Sequence, residues 1–499
     1  MRFPEYDRLD ALALGALVAR REVSPAELLE AAIERAGARD PAINAIVARY
    51  DDEARTRARG PLPAGPLSGV PFLLKDHLAA WKGHPLTHSS RFLEGAVQAE
   101  DAEVVRRLAR AGLVFFGQTN TPELAILGTT EPELRGPTRN PWDPARSSGG
   151  SSGGSAAVVA ARIVPAAQAS DGGGSIRIPA SACGVFGMKT TRGRVSFGPA
   201  QGEGWSGFDT IGFLTRSVRD GAALLDAVAG PAPGDPHVAP PPARPFLAEV
   251  GVEPGRLRVA FTKESLFGRA TDPECAAAVE GAARLAAELG HDVAEVRPTF
   301  PRDALVRAYL VVVAAGVAAE LEDAARATGR RPGPDNLEPE TWALASGGHT
   351  LSARDLVLAE LEIHRAARTV AAFFEEHDVL LTPTTAVPAL PLGAMKSTRL
   401  ERAAVRLVAR ARSRTLFEKL VSEMGARSFD ATGNTMLFNQ TGQPAMSVPL
   451  HWTTGGIPVG VQAAARFGEE ATLFRLASQL ERARPWAGRA PPLVDGRAP

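Results

Sequence analysis

Gly149-Gly150-Ser151-Ser152-Gly153-Gly154-Ser155, an apolar run from Ala156 to Ala167, and then Ser170-Asp171-Gly172-Gly173-Gly174-Ser175-Ile176-Arg177 form the stretch that decides how this chain is read. The run between the two glycine loops is too hydrophobic for a flexible linker. It reads as a helix over 155–162 leading into an apolar segment over 163–167 that ends at the second loop. Glycine accepts dihedrals closed to other residues, so loops of this kind let backbone N–H groups approach a substrate closely. Two serines presented in this way suggest a nucleophile and an assistant. What the stretch lacks is a base.

A base is available upstream, in Gly69-Val70-Pro71-Phe72-Leu73-Leu74-Lys75-Asp76. The chain has six lysines, Lys75, Lys82, Lys189, Lys263, Lys396 and Lys419, and nearly all its other positive charge is arginine. Arginine keeps its proton near neutral pH, whereas a buried lysine can lose it. Lys75, at the end of a strand-like apolar run, therefore stands out.

Further outward, helical periods alternate with short apolar runs, which argues for an α/β layered fold with a partly parallel sheet. Two helices occupy the first 40 residues. The second starts at Ser24 as N-cap, with Pro25 at the first helical position and Glu27 closing a capping box. Further helices are expected at 102–111, 218–229, 273–289, 303–327, 352–376, 400–420 and 470–482, and strands at 113–116 and 378–382. The proline-rich segment 231–245 reads as a surface strap inside one domain.

Composition narrows the function. The 499 residues carry 56 Lys+Arg against 56 Asp+Glu, so the charge balance advertises neither nucleic acid nor an anionic membrane. Cys183 and Cys275 offer no disulfide framework, and a reducing, cytoplasmic setting is expected. The longest uncharged apolar run, Leu310 to Ala319, is well short of the roughly 20 residues that span a bilayer.

These segments resemble the amidase signature family. The likeness is carried by GVPFLLKD at 69–76, GQTNTPE at 117–123, RNPWDPARSSGGSSGGSAA at 139–157 and SDGGGSIRIPASACGVFGMK at 170–189, and it extends to LLTPT at 380–384 and FNQTGQPA at 438–445. Within the family, the wording around Lys75, at 129–133 and around RNPW is most similar to 6-aminohexanoate-cyclic-dimer hydrolases, the nylon-oligomer amidases. The resemblance implies a large mixed central β-sheet covered by helices on both faces. It implies one domain over 1–499: N-terminal helices to about residue 60, a signature core over 65–230, a substrate-selecting and C-terminal part over 250–485, and a proline-rich tail at 486–499. It implies hydrolysis of a small-molecule amide by a Ser–cis-Ser–Lys triad, without cofactor or metal, by a chain that is a monomer or a homodimer.

Residue by residue, the resemblance makes Ser175 the nucleophile, Ser151 the assistant beside a cis peptide, and Lys75 the base. Ser175 ends a three-glycine run, so the N–H groups of Gly172, Gly173, Gly174 and Ser175 are expected to form an oxyanion hole. Asp171, Arg177 and Ser152 are support, and Asn120, Thr121 and Glu123 are expected in the pocket wall. Gly172 departs from the bulkier residue common in the family, which implies a looser oxyanion loop or a roomier pocket.

Three rivals share these residues. Gly150-Ser151-Ser152-Gly153-Gly154 fits G-x-S-x-G, which would make Ser152 the nucleophile of an α/β-hydrolase; such an elbow follows a strand, and Pro141 and Pro144 disfavour one there. A glutaminase subunit of a tRNA-dependent amidotransferase resembles the family but generally has glutamine where this chain has Ile178-Pro179. A silent binding module is disfavoured by the intact Lys75, Ser151 and Ser175. His77, His84 and His88 fit no common zinc spacing and are expected to be loop histidines near a pocket.

Overall fold

In the computed structural model, residues 3–268, 270–411, 415 and 429–494 are described. The apolar segment before Lys75 forms β2 (Pro71–Lys75), every residue of it buried, and the one after the first glycine loop forms β4 (Ala166–Asp171), equally buried. They lie side by side and parallel, with Leu73 opposite Ala167. Continuous burial on both faces is what a central strand of a covered sheet requires.

Around this pair, eleven strands make one sheet in the order β1-β3-β2-β4-β6-β5-β10-β11-β9-β7-β8. The others are β1 (Ile46–Arg49), β3 (Val114–Thr119), β5 (Phe186–Lys189), β6 (Thr210–Thr215), β7 (Arg258–Phe261), β8 (Asp292–Glu295), β9 (Val379–Pro383), β10 (Ala445–Trp452) and β11 (Pro458–Ala465). Strand β2 also pairs parallel with β3, and β7 pairs parallel with β8 and β9. Between these parallel blocks, β4, β6, β5, β10, β11 and β9 are joined by antiparallel pairings, so the sheet is mixed.

The helix that opens at Ser24 has the expected capping box, with Glu27 N donating to Ser24 Oγ and Ser24 N donating to Glu27 Oε2. The expected helices are found within a few residues; the one expected over 400–420 is described as Arg399–Ala411, and its remainder lies outside the described residues. Segment 231–245 is irregular and largely exposed, held where Arg194 donates to Pro240 O. One hydrophobic cluster contains Val228, Phe246 and Val259, so the core continues past it. Among the described residues, helix Arg302–Thr328 alone is long and apolar enough to cross a bilayer. In this fold Leu305, Val312, Val317 and Leu321 of that helix are buried, and it packs on helices Pro339–Gly348 and Ala353–Glu376.

Candidate active site

Because β2 and β4 run parallel, their carboxyl ends emerge together. Lys75 ends one and Asp171 the other. Loop 149–152 folds against this edge before helix Gly153–Ala160 begins, its tight entry set by Gly149 at φ +76° and by a cis peptide between Gly150 and Ser151. A Cβ on Gly149 would lie 2.9 Å from the Pro179 backbone, so a side chain there is excluded by space as well.

Lys75 is fully buried. Its Nζ is hydrogen-bonded to Ser151 Oγ at 2.8 Å and to Ser170 Oγ at 2.9 Å. Burial lowers its pKa from 10.5 to about 7, against the opposing pull of the Asp209 and Asp171 charges. An amine with a pKa near 7 is available in its neutral form near neutral pH. Ser170, near the end of β4, is a partner that the sequence reading passed over.

Ser151 is buried, whereas Ser175 is partly exposed and faces a chamber of about 150 Å³. The loops are tied together by Ser152 N donating to Ser175 O at 3.1 Å. Ser152 itself is wholly buried, its Oγ donating to Ser170 O and accepting from Ser170 N. No strand precedes it among the described residues after β3, only irregular chain and a single turn at Glu123–Ala125. The nucleophile-elbow reading has neither its strand nor an accessible hydroxyl.

The oxyanion donors need one correction. Gly174 N donates to Asp171 Oδ1 at 2.6 Å, so that N–H is already engaged. The N–H groups of Gly172, Gly173 and Ser175 have no such partner among the described residues. Asp171 also accepts from the N–H groups of Ile176 and Arg177, which shapes the turn around Ser175. Arg177 holds Asp171 through Nε at 2.9 Å and Nη2 at 2.8 Å, and donates onward to Thr435 O, Gln462 Oε1 and Asn439 Oδ1. Burial would raise the Asp171 pKa, but the Arg177 charge and hydrogen bonds outweigh it and hold the carboxyl well below its usual value. Both side chains are at 0 % exposure and outside the chamber wall, so they position the loop and do not reach substrate.

Gly172 does not open into the chamber. A Cβ there would stand 2.1 Å from Asp209 Oδ1 and 3.1 Å from the Trp205 ring, because those side chains fill the space. The expected wall residues are also elsewhere. Asn120 Nδ2 donates to Gly136 O and Thr138 Oγ1, and Glu123 accepts from Ser90 Oγ and Glu338 N. Those two hold loops and Thr121 is buried beside them, while the wall is taken by their successors Ala125 to Gly128. Tyr309, Val313, Phe429 and Met436 supply much of the remainder, with Glu340 as the one charged residue in the wall among the described residues. These lie within 250–485, the part that the resemblance implies selects the substrate. On helix Arg399–Ala411, Arg402 is paired with Glu133 at 2.7 Å. The side chains of Arg406, Arg410 and Arg414 lie outside the described residues.

The amidase family model matches residues 27–474. The chain belongs to the amidase family. Among its relatives, the 6-aminohexanoate-cyclic-dimer hydrolase of Pseudomonas sp. (strain NK87) is 39% identical over 496 residues, covering 97% of both chains. That of Paenarthrobacter ureafaciens is also 39% identical, over 493 residues with the same coverage. A solved structure of 6-aminohexanoate cyclic dimer hydrolase complexed with substrate matches at a TM-score of 0.90 and 37% identity, over 98% of this chain and 99% of the other. This amidase is thus a hydrolase of amide bonds whose fold is that of the amidase signature enzymes.

Proposed function

We propose that this amidase works through a serine acyl-enzyme, with Ser175 as nucleophile, Ser151 as proton relay and Lys75 as base. The observation that carries the reading is the contact between a buried, readily deprotonated Lys75 and Ser151, beside a chamber that Ser175 faces. Ser175 Oγ attacks the amide carbonyl carbon, and its proton passes to Ser151 as the Ser151 proton passes to Lys75. Negative charge on the carbonyl oxygen is received by the N–H groups of Gly172, Gly173 and Ser175. Collapse expels the amine, which takes a proton back through Ser151, since an amide anion is a very poor leaving group. Water then repeats the sequence on the acyl-enzyme and frees the acid.

The substrate class we assign is a small aliphatic amide, linear or cyclic, with 6-aminohexanoate oligomers as the first compounds to try. Support comes from the mainly apolar chamber wall and from the substrate named for the relatives. A glutamine carboxamide would bring an α-carboxylate into a wall whose one charge among the described residues is the carboxylate of Glu340. A serine-directed sulfonyl fluoride, followed by peptide mass spectrometry, tests the chemistry. An adduct on Ser175 that disappears in Lys75→Ala is expected; an adduct on Ser152 would overturn the mechanism. Amine release from the cyclic and linear dimers of 6-aminohexanoate, compared with a simple acyl amide, tests the substrate class separately.

A further inference from the structure

A second and larger cavity, of about 640 Å³, lies beyond Trp205, which contributes to the walls of both. Its charged lining is one-sided. Glu100, Asp101, Glu203, Asp209, Glu320 and Asp323 face it, and no lysine or arginine does among the described residues. In a protein with balanced charge, such a concave acidic surface concentrates cations.

Inside this cavity His77, His88 and Glu320 converge. A ring nitrogen of each histidine and a carboxylate oxygen of Glu320 all lie within 4.8 Å of one another. The imidazoles meet edge to face with centroids 4.7 Å apart, and His88 Nδ1 is 3.2 Å from Glu320 Oε1. Proximity has not produced a hydrogen-bonded network. Nδ1 of His77 and Nδ1 of His88 are both buried, and neither makes a hydrogen bond. His88 Nδ1 has only the Glu320 carboxylate within reach and His77 Nδ1 has no partner; a buried polar atom of that kind is uncommon and points to a ligand.

We infer that His77, His88 and Glu320 form a binding site for a divalent transition-metal ion. Two imidazoles and one carboxylate suit zinc and its neighbours, whereas magnesium and calcium prefer all-oxygen sets. Remaining coordination positions would face the cavity and take water. The ligands come from two distant parts of the chain: His77 and His88 follow β2, and Glu320 belongs to helix Arg302–Thr328, which also supplies Tyr309 and Val313 to the Ser175 chamber. A bound ion would fasten the segment after Lys75 to that helix. His84 takes no part, being stacked on Trp81 at 3.7 Å and bonded to Glu53 at 2.9 Å.

Calorimetric titration of zinc chloride into untagged, chelator-stripped full-length protein tests the assignment. One equivalent of zinc should bind and raise the thermal unfolding temperature, as any ligand selective for the folded state does. His88→Ala and Glu320→Gln should each weaken binding by about tenfold or more, since even outer partners of metal ligands are typically worth that much. His84→Ala should bind as the parent does. Amide hydrolysis measured in chelator verifies that each variant is folded. Failure of the parent to bind one equivalent, or undiminished binding in both His88→Ala and Glu320→Gln, would overturn the site.

Discussion

Two strands of this sheet end in a buried lysine, and they end differently. Lys75 closes β2 and Lys189 closes β5; both are wholly shielded from water, and burial lowers the pKa of both. Lys189 Nζ donates to the carbonyl of Thr190, with the Arg177 charge pushing its pKa down further. A carbonyl has no proton to give. Lys75 instead meets two hydroxyls, Ser151 and Ser170, beside a chamber. Desolvation therefore lowers the pKa of both amines, and the partner decides whether such an amine can serve as a base.

The largest expected effect separates these lysines directly. Lys75→Ala should lower kcat/KM by roughly 10⁴ or more, the scale on which members of a catalytic triad act. Lys189→Met, near in volume and losing one hydrogen bond, should stay within about tenfold of the parent; comparable losses in both would erase the distinction. A pH–rate profile comes next. Lys75 must be neutral to accept a proton, so kcat/KM should rise as pH climbs through about 7. It should fall about tenfold for each unit below that value. A profile flat from acid to alkali would remove Lys75 from the base role.

Loop placement is the third test. Asp171→Asn leaves the Arg177 charge buried without its anion, and urea unfolding should register a loss of about 3–5 kcal/mol. An unchanged midpoint would show that the Arg177 contacts to Thr435, Gln462 and Asn439 suffice. The smallest effect is assigned to Ser170→Ala, which removes one of two hydrogen bonds to Lys75 Nζ, worth about 1 kcal/mol. Steady-state kinetics should show roughly a tenfold loss or less. A loss as large as that of Ser151→Ala would make Ser170 the proton acceptor.

Where the sequence was legible, a local rule governed the chain. The capped helix at Ser24, the long amphipathic helices and the apolar β2 were read from period and cap chemistry. Strands β6, β10 and β11 were not. Pro449 interrupts β10 near its register shift, and β11 ends in alanines that carry little strand preference, so long-range pairing holds both. At the site, the glycines and serines were visible because backbone close to a substrate demands small residues. The roles assigned to Asn120, Thr121 and Glu123 failed because proximity in sequence says little about which side of a loop faces the chamber. Gly172 was misjudged for a related reason: the volume beside a glycine belongs to whatever packs there, here Trp205 and Asp209.

By itself, then, the sequence determined the local chemistry: two serine-bearing glycine turns, a strand that ends in lysine, and the family to which they belong. Tertiary structure alone decided that Lys75 lies 2.8 Å from a serine 76 residues away, that Gly174 spends its N–H on Asp171, and that two histidines meet a glutamate from a distant helix. The reason is physical. Dihedral tolerance and side-chain chemistry are properties of single residues, whereas burial, pKa and cavity walls belong to groups that only packing brings into contact.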